Sequence, residues 1–283
     1  MRLASYIREG RSSYGVIVEK GILDLPRHGL GSFLTLRAAL EADALRTIPP
    51  EVFRRSPDFP LEEVELLPPI PNPDKILCVG VNYHAHLEEM GRSETSHPTL
   101  FTRFANTQVG HGQSLVVPRV SSELDFEGEL AVVIGKRARH VPRGKALDYV
   151  AGYACYHDGS VRDWQRHTSQ FTAGKNFLQT GGFGPFLVTR DEVPDPTALT
   201  LTLTLNGVEM QRTTTDLMIF NIPTLIEYIT TFTELVPGDV IATGTPSGVG
   251  SKRSPPIFMK AGDVAEVEIS GVGLLRNSVT AEA

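Results

Sequence analysis

The stretch SELDFEGELAVVIGK, residues 122–136, runs from a set of carboxylates directly into an apolar segment. Its second half, LAVVI, has the length and the β-branched content of a buried strand. Before it, every second position carries a carboxylate: Asp125, Glu127 and Glu129. A strand would place these three side chains on one face, where they repel one another unless a cation lies among them. The stretch therefore predicts a buried strand that begins at either a divalent-metal site or a solvated strand end.

Length and charge limit the class of protein. The 283 residues suffice for one large domain, or for a large domain with a small one attached. The net charge of −6 and the pI near 5.8 are not those of a nucleic-acid-binding surface, which would be basic. The sequence contains neither a secretory signal nor an apolar run of the roughly 20 residues that span a bilayer. Cys78 and Cys155 lie among apolar residues and predict buried free thiols, so we expect a cytoplasmic protein.

The order of sequence patterns predicts a β-rich α+β fold. Three short strands separated by glycines are predicted within residues 2–24, and residues 34–45 have the apolar spacing of one helix. The proline-rich segment 49–73 predicts a linker without a regular ladder. We therefore predict a small N-terminal α/β module at 1–70 and a catalytic body at 71–283. The body contains many strand patterns, few helices and no regular βαβ alternation.

A candidate general base lies in a short polar helix that ends near Gly91. His86 and Glu89 are three residues apart and share a face of that helix. A carboxylate beside an imidazole orients it and raises its basicity, as a water-activating base requires. His84 competes for this role from a different face, and the spacing is equally typical of solvated surface residues.

Further candidates follow the next long strand. Asp158 occupies a position that is typical of a third metal ligand at a sheet edge, and equally of a turn-forming aspartate. Arg162 and Gln165 share a helix face, and Lys175 follows them. Beside an anionic metal site these three would bind a substrate carboxylate and an oxyanion, although ordinary exposed polar residues show the same spacing.

The glycine-rich segment TGTPSGVGSK, residues 243–252, invites comparison with a phosphate-binding loop. The spacing fails, because Ser251 precedes Lys252 where the motif requires lysine before serine or threonine. A turn that lines a site with backbone N–H groups remains open.

Taken together in chain order, these sequence segments resemble those of the fumarylacetoacetate hydrolase family. The resemblance runs from about Lys75 to Val279. It is carried by KILCVGVNYHAHLEEMG, PTLFTRFANTQVG, DFEGELAVVIGK, YHDGSVRDWQ, FTAGKNF, MIFNIPTLIEYIT and PGDVIATGTPSGVG. It implies a mixed β-sandwich or β-roll body, a homodimer, a small-molecule 2-oxo or dicarboxylate substrate, and Mg²⁺ or Mn²⁺, with Ca²⁺ as a further choice.

The resemblance also implies site roles by position. The metal ligands would be Glu127, Glu129 and Asp158, with Asp125 supporting them. A mobile lid helix would carry the water-activating pair His86 and Glu89. Lys175 would hold and polarise the substrate. The implied substrate-binding residues are Tyr83, Arg103, Arg162, Gln165, Gly244 and Thr245.

Two positions differ from the common family pattern. Arg103 stands where many relatives carry lysine, and we expect it to reach the pocket mouth. His157 stands where asparagine commonly precedes the metal aspartate, which leaves open what supports Asp158. Candidates for contacting the distal part of the substrate are Tyr83, Phe101, Tyr156 and Trp164.

The implied reaction is hydrolysis of the carbon–carbon bond of an acylpyruvate, with fumarylpyruvate or maleylpyruvate as the preferred substrate. The metal would chelate the carboxylate and 2-oxo group, and His86 with Glu89 would activate water. The metal and Lys175 would stabilise the pyruvate enolate that leaves. The alternative is an isomerase or decarboxylase of unsaturated 2-hydroxy or 2-oxo dicarboxylates, including oxaloacetate. A non-catalytic binding protein on the same scaffold is a third class.

Overall fold

Short strands dominate the computed structural model, which describes all 283 residues. The first ten strands are β1 (Arg2–Arg8), β2 (Arg11–Val18), β3 (Gly21–Asp24), β4 (Phe59–Pro60), β5 (Glu65–Leu66), β6 (Ile76–Gly80), β7 (Thr99–Arg103), β8 (Gln108–Val109), β9 (Leu115–Val117) and β10 (Leu124–Asp125). The other nine are β11 (Gly128–Ile134), β12 (Val150–His157), β13 (Ser160–Val161), β14 (Gly181–Thr189), β15 (Thr200–Leu205), β16 (Val208–Thr214), β17 (Val240–Ala242), β18 (Val264–Ile269) and β19 (Gly273–Ala281). The α-helices are α1 (Leu36–Glu41), α2 (His84–Glu89), α3 (Arg162–Gln165), α4 (Thr172–Lys175) and α5 (Ile222–Phe232). The β-rich α+β prediction is confirmed.

Two large sheets organise these strands. A 12-stranded mixed sheet has the order β4-β3-β2-β1-β14-β12-β11-β17-β6-β7, with β5 on β1 and β8 on β14. A five-stranded sheet has the order β16-β15-β18-β19-β9, and β10 and β13 form a separate short pair. Because β11 and β12 pack against β15 and β18, the two sheets enclose a core between them.

Strand β11 is buried over its whole length, as its continuous apolar run predicts. Leu130, Val132 and Ile134 belong to the core between the sheets. Ala131 and Val133 face the opposite way, into a second core shared with the N-terminal strands. Pairing with β12 on one side and β17 on the other therefore fixes the end of β11 that carries the carboxylates.

The N-terminal strands continue the large sheet, since β1 pairs with β14 at Leu3 and Leu187. The prediction that residues 49–73 hold no ladder is wrong, because β4 and β5 pair with β3 and β1. Pro60 is accommodated because β4 forms the edge of the sheet, where a missing N–H group is tolerated. The division of the chain at residue 70 remains a prediction.

Two predicted helices are shorter than their sequence patterns. Helix α1 covers only Leu36–Glu41, because the chain turns at Asp43, whose φ is +51°. Helix α3 ends at Gln165, and the exposed residues 166–170 have no core contact that would extend it. The longest helix, α5, has 11 residues, so no helix of this protein is long enough to cross a membrane.

Candidate active site

Three buried carboxylates meet where β11 and β12 lie side by side. Glu127 directly precedes β11, Glu129 lies within it, and Asp158 directly follows β12. The antiparallel register sets Gly128 opposite His157, and the amide N–H of Asp158 donates to the carbonyl of Glu127 at 2.8 Å. One oxygen from each of the three carboxylates lies within 4.8 Å of the others. Strand pairing thus brings together the predicted ligand set, which we call the carboxylate trio.

Cationic side chains neutralise two members of the trio. Lys175 Nζ donates to Glu127 Oε2 at 2.6 Å and also to Asp158. Arg162 Nη2 donates to Glu127 Oε1 at 2.6 Å, and Arg103 Nη1 donates to Asp158 Oδ1 at 2.5 Å. Burial alone would raise the pKa of Glu127, but the charges of Arg162 and Lys175 outweigh it and lower that pKa.

No cationic side chain of the protein pairs with Glu129. Its carboxylate accepts the backbone N–H of Gly244 at 2.9 Å and forms no ion pair. Burial raises the pKa of Glu129 well above its usual range, and the charges of Asp158 and Glu127 raise it further. A cation held by the trio would offset this repulsion directly.

A divalent ion would reverse the net charge of the buried groups of the site. Four buried carboxylates face three buried cations, which leaves one negative charge in excess; these residues are Asp125, Glu127, Glu129 and Asp158, and Arg103, Arg162 and Lys175. A divalent ion would turn that excess into one positive charge, which favours an anionic substrate. The trio offers only hard oxygen donors, which suit Mg²⁺ or Mn²⁺ better than zinc.

Asp125 is displaced from the trio, because the chain leaves strand geometry between β10 and β11. Its carboxylate accepts Arg162 Nε at 2.7 Å and the backbone N–H groups of Gly250 and Ser251 at 2.7 and 3.0 Å. Asp125 therefore joins the helix that carries Arg162 to the glycine-rich loop, residues 243–252. The N–H groups of this loop bind protein carboxylates.

Helix α2, the predicted lid, presents the predicted base to the same cavity. His86 Nδ1 lies 2.8 Å from Glu89 Oε2, and Glu89 Oε1 accepts the N–H of Gly248 at 2.8 Å. His86 is buried and lines the cavity, whereas His84 is exposed on the outer side of the helix. The structure therefore favours His86 over His84 as the candidate base.

A cavity of about 620 Å³ lies above the trio. Eight of the predicted site residues line it: His86, Glu127, Glu129, Asp158, Arg162, Gln165, Lys175 and Thr245. The Oε1 atom of Gln165 accepts Arg162 Nη1 at 2.9 Å, which leaves its amide N–H groups for a ligand. Thr245 Oγ1 donates to the carbonyl of Gly128 at 3.1 Å, so it also fixes the start of β11.

The expectation that Arg103 reaches the pocket mouth is wrong. Its side chain is fully buried behind the trio, where it binds Asp158, the carbonyl of Gly159 and Thr180 Oγ1. A buried guanidinium requires such partners, and the Asp158 carboxylate supplies the matching charge. His157 cannot take this supporting role, since neither of its ring nitrogens has a protein partner. Burial and the nearby Arg103 charge lower the pKa of His157 to about 4.

Other predicted pocket residues lie outside the cavity. Tyr83 is 2% exposed in the core between the sheets, and its hydroxyl has no partner. Gly244 contributes its N–H group to Glu129 and does not line the cavity. Tyr156 is buried in the second core and Trp164 packs on a neighbouring aromatic ring, so only Phe101 of the distal candidates lines the cavity.

Asn82, which no sequence pattern singled out, fixes the chain just before helix α2. Its amide donates to the carbonyls of Phe220 and Thr243 and accepts the N–H of Phe220. The preceding Val81 has a φ of +55°, which is strained for a β-branched residue. A lone asparagine between a strand and a helix carries no signal that separates this role from an ordinary helix cap.

The β-rich fold and the buried acidic site beside a histidine base are those of an enzyme. The chain belongs to the fumarylacetoacetate hydrolase family, since the family model for the fumarylacetoacetate (FAA) hydrolase C-terminal region matches residues 75–280. The bovine mitochondrial oxaloacetate tautomerase FAHD2A is 43% identical over 225 residues, which cover 79% of this chain and 72% of that protein.

Two solved structures match along their full lengths. A putative HpcE protein from Mycobacterium smegmatis has a TM-score of 0.87 and 33% identity, with 100% of both chains covered. A maleylpyruvate hydrolase from Sphingobium sp. SYK-6, solved with manganese(II) and pyruvate, has a TM-score of 0.84 and 29% identity, again with 100% of both chains covered. The cytoplasmic location and the homodimer remain predictions.

If the trio holds a divalent ion, Mg²⁺ or Mn²⁺ should stabilise the protein. At a free metal concentration of about 100 times the Kd, binding adds about 2.7 kcal/mol to the free energy of unfolding. For a chain of this size that corresponds to a rise in Tm of about 4–5 °C. Thermal unfolding with EDTA or with millimolar metal, at matched ionic strength, measures this shift. An unchanged Tm with both ions would contradict the assignment.

Proposed function

We propose that this protein is a metal-dependent enzyme that catalyses keto–enol proton transfer on a 2-oxo dicarboxylate such as oxaloacetate. The observation that carries the proposal is His86, which pairs with Glu89 and lines the same cavity as the carboxylate trio. A base opposite an oxygen-rich cation site is the minimum that enolisation beside a 2-oxo group requires. The relative named as an oxaloacetate tautomerase supports this choice, although the sequence alone ranks hydrolysis first.

Glu127, Glu129 and Asp158 would hold Mg²⁺ or Mn²⁺, which when bound polarises the 2-oxo group of the substrate. Glu89 binds His86 Nδ1, so Nε2 is the ring nitrogen that can take the proton from the carbon next to the 2-oxo group and return it to the 2-oxo oxygen to complete the enol. The backbone N–H of Gly248 holds Glu89 in turn, which fixes the imidazole ring at its side of the cavity.

Lys175 supplies a fixed positive charge beside the developing enolate oxygen. Burial would lower its pKa, but the charges of Asp158 and Glu127 outweigh burial and raise it, so the ammonium group stays protonated. A charge that is already in place costs no reorganisation during the reaction. Gln165, whose amide N–H groups are free, would donate to the substrate carboxylate.

Hydrolysis of an acylpyruvate is the second candidate. The same His86 Nε2 would deprotonate a water molecule that attacks the distal carbonyl, and the products would be pyruvate and a carboxylic acid. The structural match to a maleylpyruvate hydrolase solved with manganese and pyruvate favours this candidate. Decarboxylation of oxaloacetate would release CO₂ and leave a pyruvate enolate at the same site, without an attacking water.

Replacing the base tests the proposal. In the presence of Mg²⁺ or Mn²⁺, His86→Asn should lower kcat for oxaloacetate tautomerisation by about 10²- to 10⁴-fold, because general acid–base catalysis typically contributes that much. Tautomerisation is followed by enol absorbance, and pyruvate release is measured in parallel with acylpyruvates and with oxaloacetate. His84→Asn, an exposed histidine on the same helix, is the matched control and should retain full activity. Full tautomerase activity in His86→Asn would refute the proposal, and rapid pyruvate release from an acylpyruvate would favour the second candidate.

A further inference from the structure

The charged residues that line the cavity outside the carboxylate trio are almost all cationic. Apart from the trio itself, every charged residue that lines it is cationic or is the histidine base; the cations are Arg92, Arg162, Arg166, Lys175 and Lys252. Arg162 and Lys175 are bound to the buried carboxylates, and Arg166 pairs with Glu123 outside the cavity. Arg92 and Lys252 are therefore the two lining cations that form no ion pair with the protein.

Arg92 is held against an aromatic wall of the cavity. Its guanidinium carbon lies 5.4 Å from the ring centroid of Phe171, and Phe171 packs edge-on against Phe101 at 5.6 Å. Both rings line the cavity. The backbone N–H of Arg92 donates to the carbonyl of Leu87 at 3.1 Å, so this residue is tied to the end of helix α2.

Lys252 approaches the cavity from the glycine-rich loop. It ends a short 3₁₀ turn, Gly250–Lys252, whose first two N–H groups donate to Asp125. Because Asp125 is buried and bound to Arg162, the backbone beneath Lys252 has a fixed position relative to the trio. The Lys252 side chain itself is exposed at the rim of the cavity.

We propose that Arg92 and Lys252 bind a second carboxylate of the substrate at the mouth of the cavity, and so select 2-oxo dicarboxylates over 2-oxo monocarboxylates. The inference rests on the proposed function, because it requires the 2-oxo acid end of the substrate to bind at the carboxylate trio. Arginine presents a planar pair of donors to a carboxylate, and lysine adds a point charge. Since one cation belongs to the lid side and the other to the loop side, the distal carboxylate would link the two.

A binding experiment measures the preference for dicarboxylates without depending on catalysis. The probes are 2-oxoglutarate and 2-oxopentanoate, which have the same chain length and differ in a distal carboxylate against a methyl group. Kd values for both are measured by calorimetry on the Mn²⁺-loaded protein. We expect the wild type to prefer 2-oxoglutarate by at least about tenfold, as charge-assisted hydrogen bonds at a partly exposed site allow. The preference should weaken as ionic strength rises, because exposed charges are screened.

Matched variants assign the preference to the two residues. Arg92→Gln and Lys252→Gln should each lower the preference by about threefold to tenfold by weakening only the binding of 2-oxoglutarate. The exposed Lys260 lies outside the cavity, so Lys260→Gln should retain the wild-type ratio. An unchanged ratio in both variants, or an equal loss for both probes, would overturn the inference. Binding selectivity without any tautomerase or hydrolase activity would instead refute the proposed function alone.

Discussion

Glu129→Gln is expected to abolish metal binding while leaving the metal-free protein at least as stable as the wild type. Glu129 is the member of the trio without an ion pair, and its charge is opposed by Asp158 and Glu127. A glutamine keeps the size of the side chain and its acceptor for Gly244, and it removes the repulsion. Activity should fall by about 10³-fold or more, because the Lewis acid that stabilises the enolate would be lost.

Glu127→Gln is the matched comparison and should behave differently. Glu127 is bound by both Arg162 and Lys175, so its replacement leaves two buried cations undercompensated. Breaking a buried ion pair costs about 3–5 kcal/mol, so this variant should lose stability together with metal binding. Urea unfolding in EDTA and calorimetric titration with Mn²⁺ measure both quantities. Wild-type metal affinity in Glu129→Gln would contradict the ligand assignment.

Asp125→Ala is expected to destabilise the protein by about 3–5 kcal/mol, although Asp125 is not a predicted metal ligand. The change removes the partner of Arg162 Nε and leaves the N–H groups of Gly250 and Ser251 without their acceptor. Buried groups that lose their partners incur a desolvation penalty in the folded state.

Denaturant unfolding of Asp125→Ala compares directly with Asp74→Ala. Asp74 also pairs with an arginine, Arg37, but its side chain is 50% exposed, so its removal should cost less than about 1 kcal/mol. Equal losses in the two variants would contradict the role of Asp125 as the link between the Arg162 helix and the glycine-rich loop.

An element was predicted correctly where its own consecutive residues carry the pattern of its burial. The apolar run after Glu129 became strand β11, all seven residues of which are buried. The pairing of His86 with Glu89 could also be predicted from the sequence, because three-residue spacing on a helix determines which side chains share a face.

Long-range contacts determined what the sequence patterns missed. Arg103 ends strand β7, but whether its side chain meets solvent or Asp158 depends on a strand end 55 residues away. Asp125 and Glu129 differ in role because β10 pairs with β13 while β11 pairs with β12 and β17. Side-chain alternation predicts which residues share a face within one strand, and it carries no information about the partner of that face.

The pairing of β1 with β14 has a consequence for biosynthesis. Leu3 meets Leu187, so β1 lacks this neighbour until the chain between the two residues has been made. At about 5–20 residues per second, that interval lasts roughly 9–40 s. During it, β1 to β3 can form a local antiparallel meander that β4 and β5 extend, with the Arg2–Leu3 edge of β1 open. An open edge of this kind is a template for pairing with other chains, so nascent copies of this protein are most exposed to premature association before β14 is synthesised.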